Sequence, residues 1–454
     1  MRATDVVIKS VLFETENHYY RTPIKFGGVV LDRVSLLNAT IEVESINGRR
    51  AVGKGSMPLG NVWAFPTKSL GYEDTLEAME SVSARVARVY VDSNLTGHPI
   101  EITWHLESEF FKAAEEESLR LKLGESIPRL ATLVAASPFD AALHDAYGKL
   151  HGVSVYHTYG DRFLDTDLSR FLGPDFLGVR IDEHVTREPV DSLPLYHLIG
   201  ALDPLTSNDV VKPIGDGLPE TLGEWISRDG LTNLKIKLNG DDLEWDVKRV
   251  LGVEAAASVV QAKLGLRACS YSLDFNEKCR NVDYLLEFIA RIKAHSPAAF
   301  HRIAYIEQPT ARDLKADRKN TMHAASAQIP VVIDESLLDL DSLLLAREMG
   351  YTGAALKACK GQTQSILLAC AARHLGMFLC VQDLTCPGAS LIQSASLASH
   401  VKGVWAIEAN SRQYCPSANA TWAGKFPGIF DIKNGIMQTQ LLTGPGLGAY
   451  PASE

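Results

Sequence analysis

The chain of 454 residues is 46% hydrophobic and 22% charged, ordinary for a globular protein and long enough for more than one domain. A net charge of −10 argues against nucleic acid and anionic membrane surfaces as partners. The opening "MRATDVVIKSVLF" lacks the apolar core of a signal peptide, and no stretch approaches a membrane span. Seven cysteines without a CxxC pair point to reduced thiols in a cytoplasmic setting.

Residues 1–157 read as a separate α+β domain. "LLNATIEVES" alternates like a half-exposed strand, while "EDTLEAMESVSARVARVYV" and "SPFDAALHDAYGKLHG" carry helical patterns. Residues 158–192 mix turn and charge signals and read as a linker or insertion. From 193 to 412 the pattern changes to short apolar runs separated by helix-like stretches. The runs are "LYHLIGA", "LTNLKIKL", "CSYSLDFN", "IAYIEQP", "IPVVIDES", "TGAALKACK", "MFLCVQDL" and "VWAIEAN". Such alternation implies parallel strands joined by crossover helices. Residues 413–454 are rich in Gly and Pro and form a tail outside this rhythm.

Polar residues fall at the C-terminal end of each run: Lys237, Asp274, Glu307, Asp334, Lys357, Asp383 and Glu408. They follow one another at intervals of about 30 residues, the length of one βα unit in a (β/α)₈ barrel of roughly 250 residues, which keeps its active site at strand C-termini. The expected fold class is therefore α/β, a TIM-like (β/α)₈ barrel preceded by an α+β domain.

Asp274 shares a strand face with Asn276, Glu307 ends the next strand, and Asp334 with Glu335 ends the one after. Three carboxylates converging at a barrel mouth repel one another unless a cation lies between them, and hard oxygen ligands without Cys or His suit Mg²⁺. "TNLKIKLNG" places Lys235 and Lys237 on one strand face, and Lys357 lies beyond the carboxylates on the sixth strand. A substrate on the metal then has Lys237 on one side and Lys357 on the other. Lys235, a like charge beside Lys237, is expected to make Lys237 a usable base, and Lys360 has a supporting place nearby. Each piece alone has a plain explanation: a helix cap, a proline turn, a charged guard on an edge strand. Together, in order and at barrel spacing, they read as a site.

The series KxK, DxN, EQP, DES and then LK on the sixth strand resembles the enolase superfamily, specifically its muconate lactonizing enzyme-like, lysine–lysine subgroup. The mandelate racemase-like subgroup carries a histidine on the seventh strand, where this chain has "VQDLT". The resemblance implies that residues 1–157 form a capping domain completed by the tail, whose "GPGLG" packs back on it. It implies Asp274, Glu307 and Asp334 as ligands of Mg²⁺, with Mn²⁺ as a substitute, and Asn276 and Glu335 close by. It implies Lys237 and Lys357 as acid/base groups, assisted by Lys235. "KACKGQTQS" departs from the glycine pair common after the sixth-strand lysine, and the 158–192 segment is longer than usual.

The chemistry so implied is removal of a proton α to a carboxylate through a metal-stabilised enediolate. The outcome is racemisation or epimerisation of an amino-acid-like or other small carboxylate; dehydration or cycloisomerisation of an acid sugar or other carboxylate is the alternative. Cap segments 16–28 and 53–66 are expected to be loops closing over the mouth. Arg21 or Lys25 would meet a second anionic group, Trp63 an apolar part of the substrate, and Glu408 an ammonium or hydroxyl. Asp383 belongs to the same rim. The family also implies a homo-oligomer. A Schiff-base enzyme using Lys237 and a catalytically silent scaffold are the competing readings.

Overall fold

The computed structural model describes residues 2–26 and 29–450; the side chains of Lys25 and Phe26 also lie outside the described residues. The chain begins with an antiparallel meander of β1 (Val6–Phe26), β2 (Val29–Ser45) and β3 (Arg50–Pro58), and β4 (Thr96–Gly97) adds to the start of β1 in the order β3-β2-β1-β4. On β2, Leu37, Ala39, Ile41 and Val43 are buried in strict alternation, the period-2 signature of a sheet with one covered face. The cover is helical: α1 (Asn61–Ala64), α2 (Tyr72–Asp92), α3 (Pro99–Arg120) and α4 (Arg129–His151). Helix α4 lies directly on β2 and β3. A Cβ at Gly53 would fall 2.1 Å from the Ala146 backbone nitrogen, and one at Gly55 2.1 Å from the Pro138 carbonyl. Only glycine permits that approach.

The closing segments expected at 16–28 and 53–66 are largely strand, a correction to the sequence reading. Residues 16–19 of β1 pair in register with 33–36 of β2, and 53–58 pair with 36–41 as β3. Gly53 and Gly55 of the second segment pack against α4 and Gly60 against Leu384; residues 27–28 of the first lie outside the described residues.

Eight parallel strands then close a barrel: β5 (Ser192–Ile199), β6 (Asn233–Lys237), β7 (Ser270–Asp274), β8 (Ile303–Glu307), β9 (Val331–Ile333), β10 (Gly353–Leu356), β11 (Phe378–Val381) and β12 (Val404–Glu408). β12 pairs with β5 to complete the ring, and β13 (Ile436–Gln438) runs antiparallel along β5. All eight apolar runs fall on these strands. Inside the barrel, Tyr196, Tyr305, Val332, Ala355, Cys380 and Ala406 form a packed layer, so the interior is a core and the chemistry is confined to its rim.

The segment 158–192 is not a loose linker. Its backbone bonds the end of helix Ala389–His400 (Thr186 N to His400 O, 2.8 Å; Val190 N to Ser399 O, 2.9 Å), and Phe163, Leu168 and Phe176 are buried. The tail returns to the cap, where Leu447 N donates to Asp145 of α4 at 2.9 Å and Val155 N to Gly446 O at 2.8 Å. Residues 451–454 of the expected tail lie outside the described residues. Among the described residues no helix is long and apolar enough to cross a membrane.

Candidate active site

Parallel register builds the site. Lys237 of β6 stands beside Asp274 of β7, which stands beside Glu307 of β8, so one row of the barrel rim carries a lysine and two carboxylates. Asp334 and Glu335 follow β9, Lys357 follows β10, Asp383 lies just beyond β11 and Glu408 ends β12. Two cap residues, Ile24 and Trp63, reach down between these ends and line the same cavity with Lys235, Lys237, Asp334, Lys357 and Glu408.

Every charged group here is at most 7% exposed, so each must find a partner. Lys235 Nζ lies 2.9 Å from Glu307, 3.1 Å from Asp274 and 3.3 Å from Glu408. Burial works against the Lys235 ammonium, but the charges of Glu307, Glu408 and Asp274 outweigh it and hold its pKa well above the ordinary lysine value. The like charge expected beside Lys237 therefore carries three counter-charges of its own. Lys237 Nζ donates to Asp274 at 2.5 Å and to Asn276 at 2.9 Å. Lys357 Nζ is 2.9 Å from Asp334 Oδ2, close enough for an ion pair though not aligned as a hydrogen bond. It also lies 4.4 Å from the centre of the Trp63 ring. Lys360 donates to the Asp334 carbonyl at 2.6 Å and to its carboxylate at 3.3 Å.

The carboxylates divide in the same way. Burial resists ionisation of Asp274, yet Lys237 and Lys235 hold its pKa far below the usual range; Asp334 is lowered likewise by Lys357 and Lys360. Glu307 moves the opposite way, raised by burial and by the charge of Asp274. Burial and Asp334 push Glu335 up to about 8, and burial and Glu408 push Asp383 up to about 6. Four ammonium groups (Lys235, Lys237, Lys357, Lys360) face six carboxyls (Asp274, Glu307, Asp334, Glu335, Asp383, Glu408), all buried. Burial raises the pKa of Glu307, Glu335 and Asp383, and the excess of negative charge adds to it.

A divalent cation fits the excess in charge and in donor type. Oxygens of Asp274, Glu307 and Asp334 come from three successive strand ends, and Glu335 Oε2 is buried without a hydrogen-bond partner. In the geometry described, however, the carboxylates turn to the lysines. Among the described residues no three His, Cys, Asp or Glu side chains converge as a metal site.

Asp383 accepts the backbone N–H of Cys386 and of Asn410, each at 2.6 Å, and so ties the seventh and eighth strand ends together. Glu408, expected to meet substrate, accepts from Lys235 at 3.3 Å and from Asn410 at 2.7 Å. Arg21 does not face the cavity. Its guanidinium is bound to Asp216 and to the carbonyls of Leu218 and Pro219, at 3.1 and 3.0 Å. It fastens the cap to the loop after β5, because that loop carries the nearest carboxylate. The Lys25 side chain lies outside the described residues. Trp63 lines the cavity at the mouth and donates its indole N–H to Glu335 at 2.9 Å. It separates the cavity, which has room for about 20 Å³, roughly one water, from an outer vestibule of about 500 Å³ that Trp63 and Glu335 also line.

Sequence reasoning missed several contributors. Gln308 bonds the backbone N–H of Asp334 (3.0 Å) and of Ser336 (3.2 Å) through its amide oxygen, clamping the fifth strand end to the fourth. Gln382 donates to Glu307. Ile24, Leu198 and Leu384 supply the apolar wall. Asn276, Glu277, Gln308 and Thr385 have φ of 48°, 64°, 28° and 54°. Such left-handed non-glycine residues at strand ends store strain of the kind found at functional sites. Asn276 and Gln308 lie within the DxN and EQP motifs, but motif and spacing carried no signal for the left-handed backbone or for Glu277, Thr385 and Gln382.

A family model described as "Enolase C-terminal domain-like" matches residues 218–454, more than half of the chain. Several solved structures share the fold. The L-Ala-D/L-Glu epimerase from Bacillus subtilis, a substrate-liganded complex, aligns at 14% identity over 98% of this chain and 99% of that one, TM-score 0.62. A dipeptide epimerase from Enterococcus faecalis V583, complexed with Mg and L-Leu-L-Tyr, aligns at 14% over 97% and 99%, TM-score 0.60. A muconate lactonizing enzyme from Pseudomonas fluorescens, complexed with muconolactone, aligns at 17% over 98% and 97%, TM-score 0.60. No curated protein matches the chain by sequence. The barrel, the cap and the matched family model together place this chain in the mandelate racemase/muconate lactonizing enzyme family of the enolase superfamily.

Proposed function

We propose that the protein is a Mg²⁺-dependent enzyme that removes a proton α to a carboxylate, acting as a racemase or epimerase on an amino-acid-like or other small carboxylate. One observation carries this reading. Lys237 and Lys357 come from the second and sixth of eight strands, on opposite sides of the ring, and line one cavity. Two bases on opposite sides of a bound carbon are what a 1,1-proton transfer requires. The dipeptide epimerases that share the fold were solved with Mg and dipeptides, which adds support for the substrate class.

Asp274, Glu307 and Asp334 would hold the cation, with Glu335 beside them. When bound, it would supply positive charge to the substrate carboxylate as the α-proton leaves. The chain's own groups do the rest. Asp274 and Asn276 hold Lys237 Nζ in place to take the proton from one face. The Asp334 charge overcomes burial and keeps the Lys357 ammonium protonated, with its pKa raised, the form from which it returns a proton on the other face. Trp63 and Ile24 exclude water from the cavity.

The test is α-deuterium incorporation in D₂O with Mg²⁺, using pools of dipeptides, N-acyl amino acids, amino acids, cyclic imino acids and acid sugars. Exchange that stops with chelator and in Lys237→Ala and Lys357→Ala is the expected result. Exchange that survives chelator, or is absent from every pool, sinks it. Product with a new ring or double bond would instead assign cycloisomerisation or elimination.

A further inference from the structure

A second cavity, of about 310 Å³, opens between cap helix α3 and the barrel helix Gln362–His374, and it shares no residue with the barrel mouth. Its apolar walls are Leu367 and Leu368, both buried, with Phe171 and the rim residue Trp104 meeting edge to face at 5.7 Å between ring centres. Trp104 is 37% exposed. The polar residues of the lining are Glu107, Asp339, Asp341, Thr363 and Gln364; Asp339 pairs with Arg129 and Thr363 with Asp140. The Glu107 carboxylate has no hydrogen bond or ion pair among the described residues. Gln364 is only 8% exposed; its amide NH₂ donates to the Leu338 carbonyl, while its Oε1 is buried with no donor.

A carboxylate without a protein partner, set among apolar walls, gains from a ligand that brings a counter-charge and covers those walls. A positive charge is also called for. Burial, with Asp339 and Asp140 adding repulsion and Arg129 opposing them, pushes the Glu107 carboxyl up to about 7. The aromatic pair suits a cation or its adjacent methylenes. We propose that this crevice is a binding site for a small primary amine with an apolar body. The ammonium pairs with Glu107 beneath Trp104, and the hydrocarbon part lies on Phe171, Leu367 and Leu368. The volume falls within the range of small-molecule sites. The inference does not depend on the reaction proposed for the barrel mouth.

The experiment is titration of the whole protein with n-hexylamine and 2-phenylethylamine at neutral pH, with 1-hexanol and 2-phenylethanol as neutral counterparts, read by calorimetry and ligand-observed NMR. Saturable one-to-one binding of the amines, at least about tenfold tighter than the alcohols, is the expected outcome. Glu107→Gln, which keeps the side chain's size at a partly exposed position, should weaken amine binding by about tenfold or more without moving the thermal midpoint. Trp104→Ala, at the exposed rim, is the second variant and should weaken it as well. Equal binding of amine and alcohol, unchanged affinity in both variants, or no saturation by about 10 mM overturns the proposal.

Discussion

Lys235 and Lys237 leave the same strand on the same face, yet they end on different oxygens. Lys235 is enclosed by Asp274, Glu307 and Glu408, while Lys237 sits between Asp274 and Asn276. Replacing Lys235 by Met would strand three buried carboxylates without their counter-charge. The expected loss is about 3–5 kcal/mol of unfolding free energy, the usual result of breaking a buried ion pair. Urea denaturation would measure it, and added Mg²⁺ should recover part of it by binding the folded form. Lys237→Ala and Lys357→Ala should lower turnover by about 10²–10⁴-fold, the usual worth of a positioned acid or base, in the exchange assay. Trp63→Phe keeps the ring over Lys357 but removes the N–H that Glu335 accepts. With Glu335 left wholly unpartnered, the expected destabilisation is about 1–3 kcal/mol, measured by thermal and urea unfolding.

At the scale of elements, the barrel was legible and the cap only partly so. The eight barrel strands are local apolar runs with charges at their C-terminal ends, a pattern visible without tertiary knowledge. β1 and β3 were not; in β3, Gly53 and Gly55 look like loop residues until α4 is laid across them. Gly53→Ala should therefore be severe. Its Cβ would meet the α4 backbone, which cannot rotate away, and the loss should exceed the usual 1–3 kcal/mol of an overpacked site, as read by chemical denaturation. Helix α3 escaped notice as well, since its apolar stripe is narrow and much of its length is acidic.

For the molecule as a whole, buried histidines tie stability to pH. His400 is stacked on Tyr156 at 3.7 Å, and burial holds its pKa down to about 4. An unfolded histidine takes its proton near pH 6.5, so the unfolded chain gains more protons as pH falls from about 6.5 to 4. The stability contributed by the neutral ring is complete above that window and is lost within it, at up to ~1.4 kcal/mol per pH unit. Raised carboxyls such as Glu335 and Asp383 act in the opposite sense but are common to a His400→Gln variant. The stability gap between wild type and His400→Gln should therefore narrow on going from pH 7 to pH 5 in urea titrations. A constant gap would contradict the assignment.

What the sequence determined by itself is the set of strand-end residues: Lys235, Lys237, Asp274, Glu307, Asp334 and Lys357 all reach one rim because alternation and βα spacing are local properties of the chain. Tertiary structure decided which charge meets which. Trp63 reaches Glu335 across 272 residues and Arg21 reaches Asp216 across 195. Each of those contacts depends on how the cap docks on the closed ring. Burial made the pairing obligatory, since a buried charge takes whichever partner the assembled fold brings within a few ångströms. No spacing rule along the chain encodes that choice.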